Sequence, residues 1–259
     1  MPKLPAHGRV DCNACFGGCD NVEFDRTQRV DGAWRITANP LAWGNGDPEI
    51  VVLGFSKGPT QAGALATKPH DEIAYKGGRT QMGKILRHVG LMPNVVDGDL
   101  GAAVSALIAA RTGRFHFGSL IRCTVERQTP KGWEGTGGGI LDKFVATPFG
   151  REVATNCSMR HLGQLPTRTK LVVMFGLGRN LNYVNECSAL FQKSQGGAWR
   201  WLNEVAYTNG RVTVVHVEHF KSLGVYIPQW LGLLNHPRQR WGVMAQEAVK
   251  FALSAVASR

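Results

Sequence analysis

The sequence predicts an α/β fold of three layers, α/β/α, with a central four-stranded parallel sheet. Four short apolar runs have the length of fully buried strands, and segments with helical spacing of apolar residues separate them. The runs are 50–53, 115–124, 170–175 and 211–216. Strands that alternate with helices form parallel sheets covered on both faces, so we expect helices above and below the sheet.

The first apolar run ends in a glycine-rich loop, residues 54–63, which contains Gly54, Gly58 and Gly63. Glycine allows the backbone to approach a ligand closely and to adopt φ values that other residues avoid. In open α/β sheets, ligands bind where such loops follow strands. The loop is therefore either an ordinary strand-to-helix turn or part of a binding site.

Five later segments have apolar residues at helical spacing, and we expect each to form a helix. They are 82–90, 100–110, 151–165, 180–192 and 239–258.

Two segments lie outside this pattern. Residues 1–48 are polar, rich in turns and carry cysteines, with a weak hairpin signal that pairs 22–24 with 34–37. Residues 125–150 are rich in glycine, lysine and proline and are expected to form a mobile insertion or a plain surface loop. We expect the whole chain, 1–259, to form a single domain.

The net charge of +11 favours a polyanionic partner, in particular a nucleic acid. The alternative is a basic protein without such a partner. No apolar run is long enough to span a bilayer, and the first residues lack the apolar region of a signal peptide. We therefore expect a cytoplasmic protein with no membrane partner.

Cysteine spacing indicates metal binding in the N-terminal segment. In the reducing cytoplasm, six cysteines argue against a disulfide framework. Cys12 and Cys15 are spaced so that two thiolates can bind one metal centre, and Cys19 follows closely. No second pair has this spacing, so other ligands would be single cysteines far along the chain.

The loops that follow the four strands should meet, because the carboxyl ends of parallel strands lie at one edge of a sheet. These loops are 54–63, 119–124, 176–180 and 216–224. With Tyr75 they supply the polar side chains Ser56, Lys57, Ser119, His216, Glu218 and His219. A histidine at a strand end either donates to a developing anion or is satisfied by a backbone carbonyl. The Gly176-Leu-Gly178 run is only half of a dinucleotide fingerprint, which disfavours a nucleotide-dependent oxidoreductase.

In this order the residues resemble the uracil-DNA glycosylase superfamily and are most similar to its iron–sulfur branch. The resemblance extends over residues 11–224. The matching motifs are Cys12 and Cys15, Gly54 with Gly58, Tyr75 with Gly77, Arg122 with Cys123, Cys157, Leu177 with Gly178, and finally His216.

This resemblance implies a structural [4Fe–4S] cluster held by Cys12, Cys15, Cys123 and Cys157 as thiolates. Cys19 could replace Cys12 or Cys15. The alternative is a set of thiols that binds no cluster.

The resemblance also implies a monofunctional, monomeric DNA glycosylase of base excision repair. It would hydrolyse the N-glycosidic bond of uracil, or of a related deaminated or damaged base, and leave an abasic site. His216 would stabilise the departing base anion, and Ser56 would orient the attacking water. Asp71 or Glu72 would supply the carboxylate that stabilises the sugar cation. The remaining implied contacts are Gly54, Phe55, Tyr75 and Ser119 for the base, and Lys57, Lys221, Ser222 and the wedge Leu223 for DNA.

Several residues depart from the family pattern. Phe55 replaces an acid, and Ser56 replaces the water-positioning asparagine of related branches. Ser119 replaces an asparagine that reads uracil, and Val217-Glu218 replaces Pro-Ser after the histidine. The alternative function is therefore a catalytically weak or inactive DNA-binding protein of this type.

Overall fold

Two β-sheets organise the chain in the computed structural model, which describes residues 3–17, 21–135, 141–222 and 224–254. The strands are β1 (Gly8–Arg9), β2 (Gln28–Asp31), β3 (Trp34–Thr37), β4 (Leu41–Gly44), β5 (Ile50–Gly54), β6 (Phe115–Ser119), β7 (Thr124–Thr129), β8 (Gly132–Gly135), β9 (Leu171–Phe175), β10 (Arg200–Asn203), β11 (Ala206–Thr208) and β12 (Thr213–Val217). The helices are α1 (Pro59–Ala62), α2 (His70–Ile73), α3 (Arg79–His88), α4 (Leu100–Ala109), α5 (Leu141–Val145), α6 (Pro148–Leu162), α7 (Asn182–Gln195), α8 (Tyr226–Trp230) and α9 (Gln239–Ser254).

The prediction of a central four-stranded parallel sheet is wrong. The main sheet has eight strands in the order β1-β4-β6-β5-β9-β12-β11-β10, and it is mixed. Only the segment from β6 to β12 is parallel. On either side of it, β4 and β1 and then β11 and β10 pair in antiparallel fashion. A separate antiparallel sheet has the order β2-β3-β7-β8.

The predicted strands and the missed strands differ in burial and in the sequence signal they leave. The four parallel strands are buried on both faces, so they appear in the sequence as continuous apolar runs. The additional strands have only two to six residues, and several are half exposed. Strands this short leave no periodic signal strong enough to separate them from loops.

The small sheet takes up parts of both segments that were expected to be irregular. The N-terminal hairpin does form, with a turn at Gly32-Ala33, but its first strand is β2 rather than 22–24. Residues 125–150 contribute β7, β8, α5 and the start of α6, so much of the expected insertion has regular structure. Its mobility stays a prediction, as does the single domain.

All five predicted helices occur, as α3, α4, α6, α7 and α9, with ends shifted by a few residues. Between β9 and α7 the chain passes through a 3₁₀ turn, Arg179–Leu181, in which Asn180 and Leu181 have positive φ. None of the helices in the described ranges has the length and apolar character needed to span a lipid bilayer.

Gly44, at the end of β4, has a φ of +80°, and a Cβ there would lie 2.4 Å from the carbonyl oxygen of Phe115. Gly90, just after α3, has a similar φ of +82° but no atom within 4 Å of an added Cβ. We expect Gly90→Ala to cost about 1 kcal/mol of unfolding free energy through backbone strain alone. Gly44→Ala should cost about 2 kcal/mol more because of the clash. Urea denaturation compares the two, and equal losses would contradict the close approach of β4 to β6.

Candidate functional site

The carboxyl ends of the parallel strands meet at one edge of the large sheet. Leu120 and Ile121 donate their amides to the carbonyls of Gly54 (2.9 Å) and Phe55 (2.8 Å). On the other side, Gly176 donates its amide to Val217 at 2.9 Å. The loop after β12 reaches back to the loop after β5, where Lys221 Nζ donates to Thr60 Oγ1 at 3.1 Å. Hydrogen bonds thus join all four loops, in pairs, across this edge.

Tyr75 forms the floor of this edge. Its hydroxyl lies 2.8 Å from the carbonyl of Gly118 and 3.1 Å from that of Val52, which belong to neighbouring strands. Its ring packs edge-on against Phe220 at a centroid distance of 5.3 Å. Tyr75 has a positive φ of 52°, which a tyrosine adopts only when its surroundings hold it there. Its side chain is therefore fixed rather than free to swing.

His216 lies inside β12 and is completely buried. Its Nδ1 donates to the carbonyl of Gly176 at 3.1 Å, and its Nε2 accepts from the Tyr207 hydroxyl at 3.3 Å. Burial lowers the pKa of His216 to about 4, so the imidazole is neutral at pH 7. Both ring nitrogens are already used, which leaves no N–H to donate to an incoming anion. The role expected for His216 stays a prediction.

His219 is placed differently, because it follows the end of the strand. Its Nδ1 accepts the amide of Lys221 at 3.1 Å, which puts the single proton of the neutral ring on Nε2. Burial lowers the pKa of His219 to about 4. Its ring stacks on Phe220 at 4.6 Å, and Phe220 in turn contacts Tyr75. His219 therefore offers an N–H donor beside the floor of the site.

A buried carboxylate holds the turn that carries His219. Glu218 is 3% exposed and accepts hydrogen bonds from the amide of His219 (3.0 Å), the hydroxyl of Ser222 (2.6 Å) and Nε of Arg238 (2.6 Å). Arg238 also lies over the ring of Tyr226 at 4.5 Å. Glu218 thus fixes the turn that follows β12.

The residues expected to contact DNA do not form one set. Lys221 is exposed and near the site edge, whereas the Ser222 hydroxyl is donated to Glu218. Leu223 lies outside the described residues. The expected phosphate contact of Lys57 is wrong for this structure, because Lys57 is 1% exposed and its Nζ donates to the carbonyl of Arg122.

Asp71 lies away from the strand ends, at the β1–β4 side of the large sheet. His7 Nε2 is 2.8 Å from its carboxylate. His7, His70 and Asp71 also form the one group of three candidate ligands within 4.8 Å found among the described residues. However, His7 Nδ1 accepts from the amide of Gly44, and His70 Nε2 bonds to the carbonyl of Ala42. These hydrogen bonds account for the positions of the two histidines without a metal ion.

The remaining expected base contacts lie near the floor. Gly54 ends β5, where an added Cβ would touch the Tyr75 ring at 3.8 Å, and Ser119 is paired beside it at the end of β6. Phe55 is partly buried, with its ring 6.3 Å from that of Tyr183. Ser56, next to it, is also partly buried.

Four cysteines from three distant chain segments lie together beside this edge. The pKa of Cys15 is lowered because the Cys157 thiol hydrogen-bonds to it, and the pKa of Cys157 is raised by the same bond. Cys123 and Cys12 both lie close enough to Cys157 for their charges to interact. All four are free thiols, and Cys19 lies outside the described residues.

Each of these sulfurs also has an N–H donor. The backbone amides of Ala14, Asn39 and Arg122 bond to Cys12, Cys123 and Cys157 respectively. The Asn156 side chain donates to the Cys15 sulfur at 3.9 Å. N–H bonds to sulfur favour thiolates and tune iron–sulfur centres, but burial outweighs them at Cys12 and Cys123 and raises the pKa of both thiols.

The spacing of the sulfurs separates two kinds of metal site. A tetrahedral zinc with Zn–S bonds of about 2.3 Å holds its thiolates about 3.8 Å apart. No three cysteine sulfurs of the described residues lie within 4.8 Å of one another. In a [4Fe–4S] cluster each thiolate binds a different iron, so the sulfurs are spread more widely. The spacing of the described cysteines does not match a zinc ion with three or more cysteine ligands, and the cluster stays a prediction.

Neither the known protein-family models nor the curated proteins give a match to this sequence. Function is therefore argued from the residues and their geometry.

The sequence pattern assigned no specific role to His219 and Glu218, although both lie in the site. Both were among the polar side chains of the strand-end loops, but His216 carried the resemblance. Strand geometry could have separated the two histidines. Side chains alternate along a strand, so a histidine inside a buried strand faces one of the two packed layers. A histidine two residues beyond the strand end does not have this restriction.

Glu218→Gln should loosen the histidine turn. The change removes the charge that pairs with Arg238 in a largely buried setting, where the two side chains are 3% and 18% exposed. We expect a loss of about 2–3 kcal/mol of unfolding free energy and faster amide hydrogen exchange in residues 218–222. Glu204→Gln is the matched control, because the Glu204–Arg240 pair is 40% and 57% exposed and should contribute less than about 1 kcal/mol. Equal losses in urea denaturation would contradict the role assigned to Glu218.

Proposed function

We propose that this protein is an iron–sulfur DNA glycosylase that hydrolyses the N-glycosidic bond of uracil or a related deaminated base in DNA. The product would be an abasic site, as in base excision repair. A reducing compartment such as the cytoplasm, which the sequence predicts, would keep the cysteines available as ligands.

One observation carries the proposal. Four thiols with N–H donors lie beside a strand edge that also presents a glycine loop, an aromatic floor and a histidine donor. A buried backbone bridge links the two parts, because Lys57 in the glycine loop pairs with Thr124, next to Cys123. This combination is what the resemblance to the iron–sulfur branch requires.

Cys12, Cys15, Cys123 and Cys157 would hold the cluster, which would act as a structural crosslink between the N-terminal segment, the strand edge and α6. Arg29 strengthens the same connection, since it donates to the carbonyl of Cys15 at 3.0 Å and pairs with Glu152 of α6 at 2.6 Å.

His219 is the residue best placed to stabilise the leaving group. When the bond between the sugar and the base breaks, its electron pair stays with the base and develops as negative charge on a carbonyl oxygen. A neutral imidazole N–H can donate to that oxygen without first losing a proton. The oxygen of water then bonds to the sugar carbon, and the proton that water loses neutralises the base anion.

Phe55 is the better stacking surface for a flipped base than Tyr75. Phe55 is partly exposed, whereas Tyr75 is 3% exposed and covered by Phe220. The net charge of +11 and the exposed Lys221 would favour phosphate contacts along the strand edge.

The second candidate is a DNA-binding protein of this type that does not excise a base. It is favoured by the placement of two carboxylates, Asp71 and Glu218. Asp71 faces His7, and Glu218 is fully used within its own turn. Neither is poised to stabilise a sugar cation.

The test is alkali-sensitive cleavage of single- and double-stranded oligonucleotides that contain uracil. We expect the native protein to cleave them, and His219→Ala to lower the rate about 100- to 1,000-fold, the usual effect of losing one donor to a developing anion. His216→Ala should act mainly through folding, so its loss of activity should follow its loss of thermal stability.

Different outcomes separate the alternatives. A stable His216→Ala protein that has lost all activity would return the role to His216. If the native protein binds these oligonucleotides but cleaves neither, the second candidate replaces the first for uracil.

The cysteine ligands can be tested independently of excision. We expect Cys123→Ala and Cys157→Ala each to reduce iron and sulfide per purified chain strongly. Cys187→Ala is the matched control, because Cys187 is equally buried but lies in α7 beside Tyr183. Full iron content in Cys157→Ala would contradict the assigned ligand set.

A further inference from the structure

Two basic side chains, those of Lys57 and Arg122, are buried beside the four cysteines. Lys57 and Arg122 are each 1% exposed. The ion pairs among the described residues do not include either of them. Removing a charged group from water costs several kcal/mol unless a counter-charge compensates, so this pair of cations needs an explanation.

The hydrogen bonds of these two cations are incomplete. The ammonium group of Lys57 has three N–H donors, and its bond within the described protein goes to the carbonyl of Arg122. Arg122 donates to the carbonyl of Leu41 at 3.1 Å and to His116 at 3.2 Å, but its Nε has no partner in the described part of the chain. Carbonyls and a neutral imidazole satisfy donors but do not neutralise charge.

The sulfur group is the main source of negative charge near both cations, and the carboxylate of Asp25 acts on Lys57 more weakly. Lys57 lies within electrostatic reach of Cys123 and Cys157, and Arg122 of Cys157 and Cys12. A cluster with four thiolate ligands carries a net negative charge, and nearby charge helps to set its reduction potential. Lys57 and Arg122 lie in the protein interior next to that charge, where water cannot screen the interaction.

We propose that Lys57 and Arg122 form a buried counter-charge for an anionic iron–sulfur cluster, and that Lys57 sets the reduction potential of that cluster. This inference rests on the cluster of the proposed function, but not on base excision. It also explains why the glycine loop carries a lysine that the solvent cannot reach.

The experiment measures the midpoint potential and the iron and sulfide content of the intact, cluster-loaded protein. Lys57→Met removes the charge and keeps the side-chain length. We expect it to lower the midpoint potential, because reduction adds negative charge that the lysine would otherwise stabilise. Lys57→Gln keeps a donor for the carbonyl of Arg122, so it should give the same direction of shift if Lys57→Met folds poorly. Lys68→Met is the control, since Lys68 is exposed, and it should leave the potential unchanged.

Stability provides a second measurement that a merely structural lysine would not reproduce. Removing an uncompensated buried cation should make the cluster-free Lys57→Met protein more stable than the cluster-free native protein. The loaded Lys57→Met protein should lose its cluster several-fold faster in air than the loaded native protein. A structural role would instead destabilise both forms.

The failures are distinguishable. Native protein that binds no iron under anaerobic reconstitution would overturn both the cluster and this inference. Iron-loaded Lys57 variants with the native potential would overturn the inference alone. An iron-loaded protein with the expected shift that excises no base would support the inference and overturn only the proposed excision.

Discussion

The passage of the chain from the large sheet to the small one, through residues 120–123, determines how the candidate site is built. This short segment is bonded to the loop after β5 through Leu120 and Ile121, and it enters β7 at Thr124, where Lys57 pairs with it. Asn39, just before β4, accepts the amide and hydroxyl of Thr124 at 2.9 and 3.1 Å. Because three segments are bonded to each other here, Arg122 and Cys123 have defined positions between the sheets, and the N-terminal cysteines and α6 close around them.

Buried charge is the second constraint at this junction. Burial raises the pKa of Cys123 to about 12 and lowers that of Lys57 to about 8. Both shifts oppose ionisation, although opposite charges lie close enough to favour it. A group of neutral thiols would leave two cations in a dry interior, whereas a group of thiolates would compensate them. Without a metal centre burial prevails at Cys12 and Cys123 and these thiols stay neutral, so a bound metal centre that held the sulfurs as thiolates would supply the missing counter-charge.

The central strands and the long helices could be predicted from the sequence, because each leaves a direct trace. A strand such as β9, buried on both faces, must be apolar at every position. The edge strands and the small sheet could not be predicted. β8, for example, alternates exposed and partly buried residues over only four positions. The burial of Lys57 could not be predicted either, because lysines and glycine-rich loops are both usually found at the surface.

The different roles of His216 and His219 depend on backbone geometry that residue patterns do not show. His216 and His219 are three residues apart, but the strand ends at Val217, between them. Within the strand, His216 must face one of two packed layers, and Tyr207 and the carbonyl of Gly176 satisfy it there. Beyond the strand, Glu218 bends the chain, and the amide of Lys221 fixes the tautomer of His219 with its proton on Nε2. The chemistry of the edge therefore depends on the backbone register of β12 against β9, which pairs Val217 with Phe175 and releases the chain at Glu218.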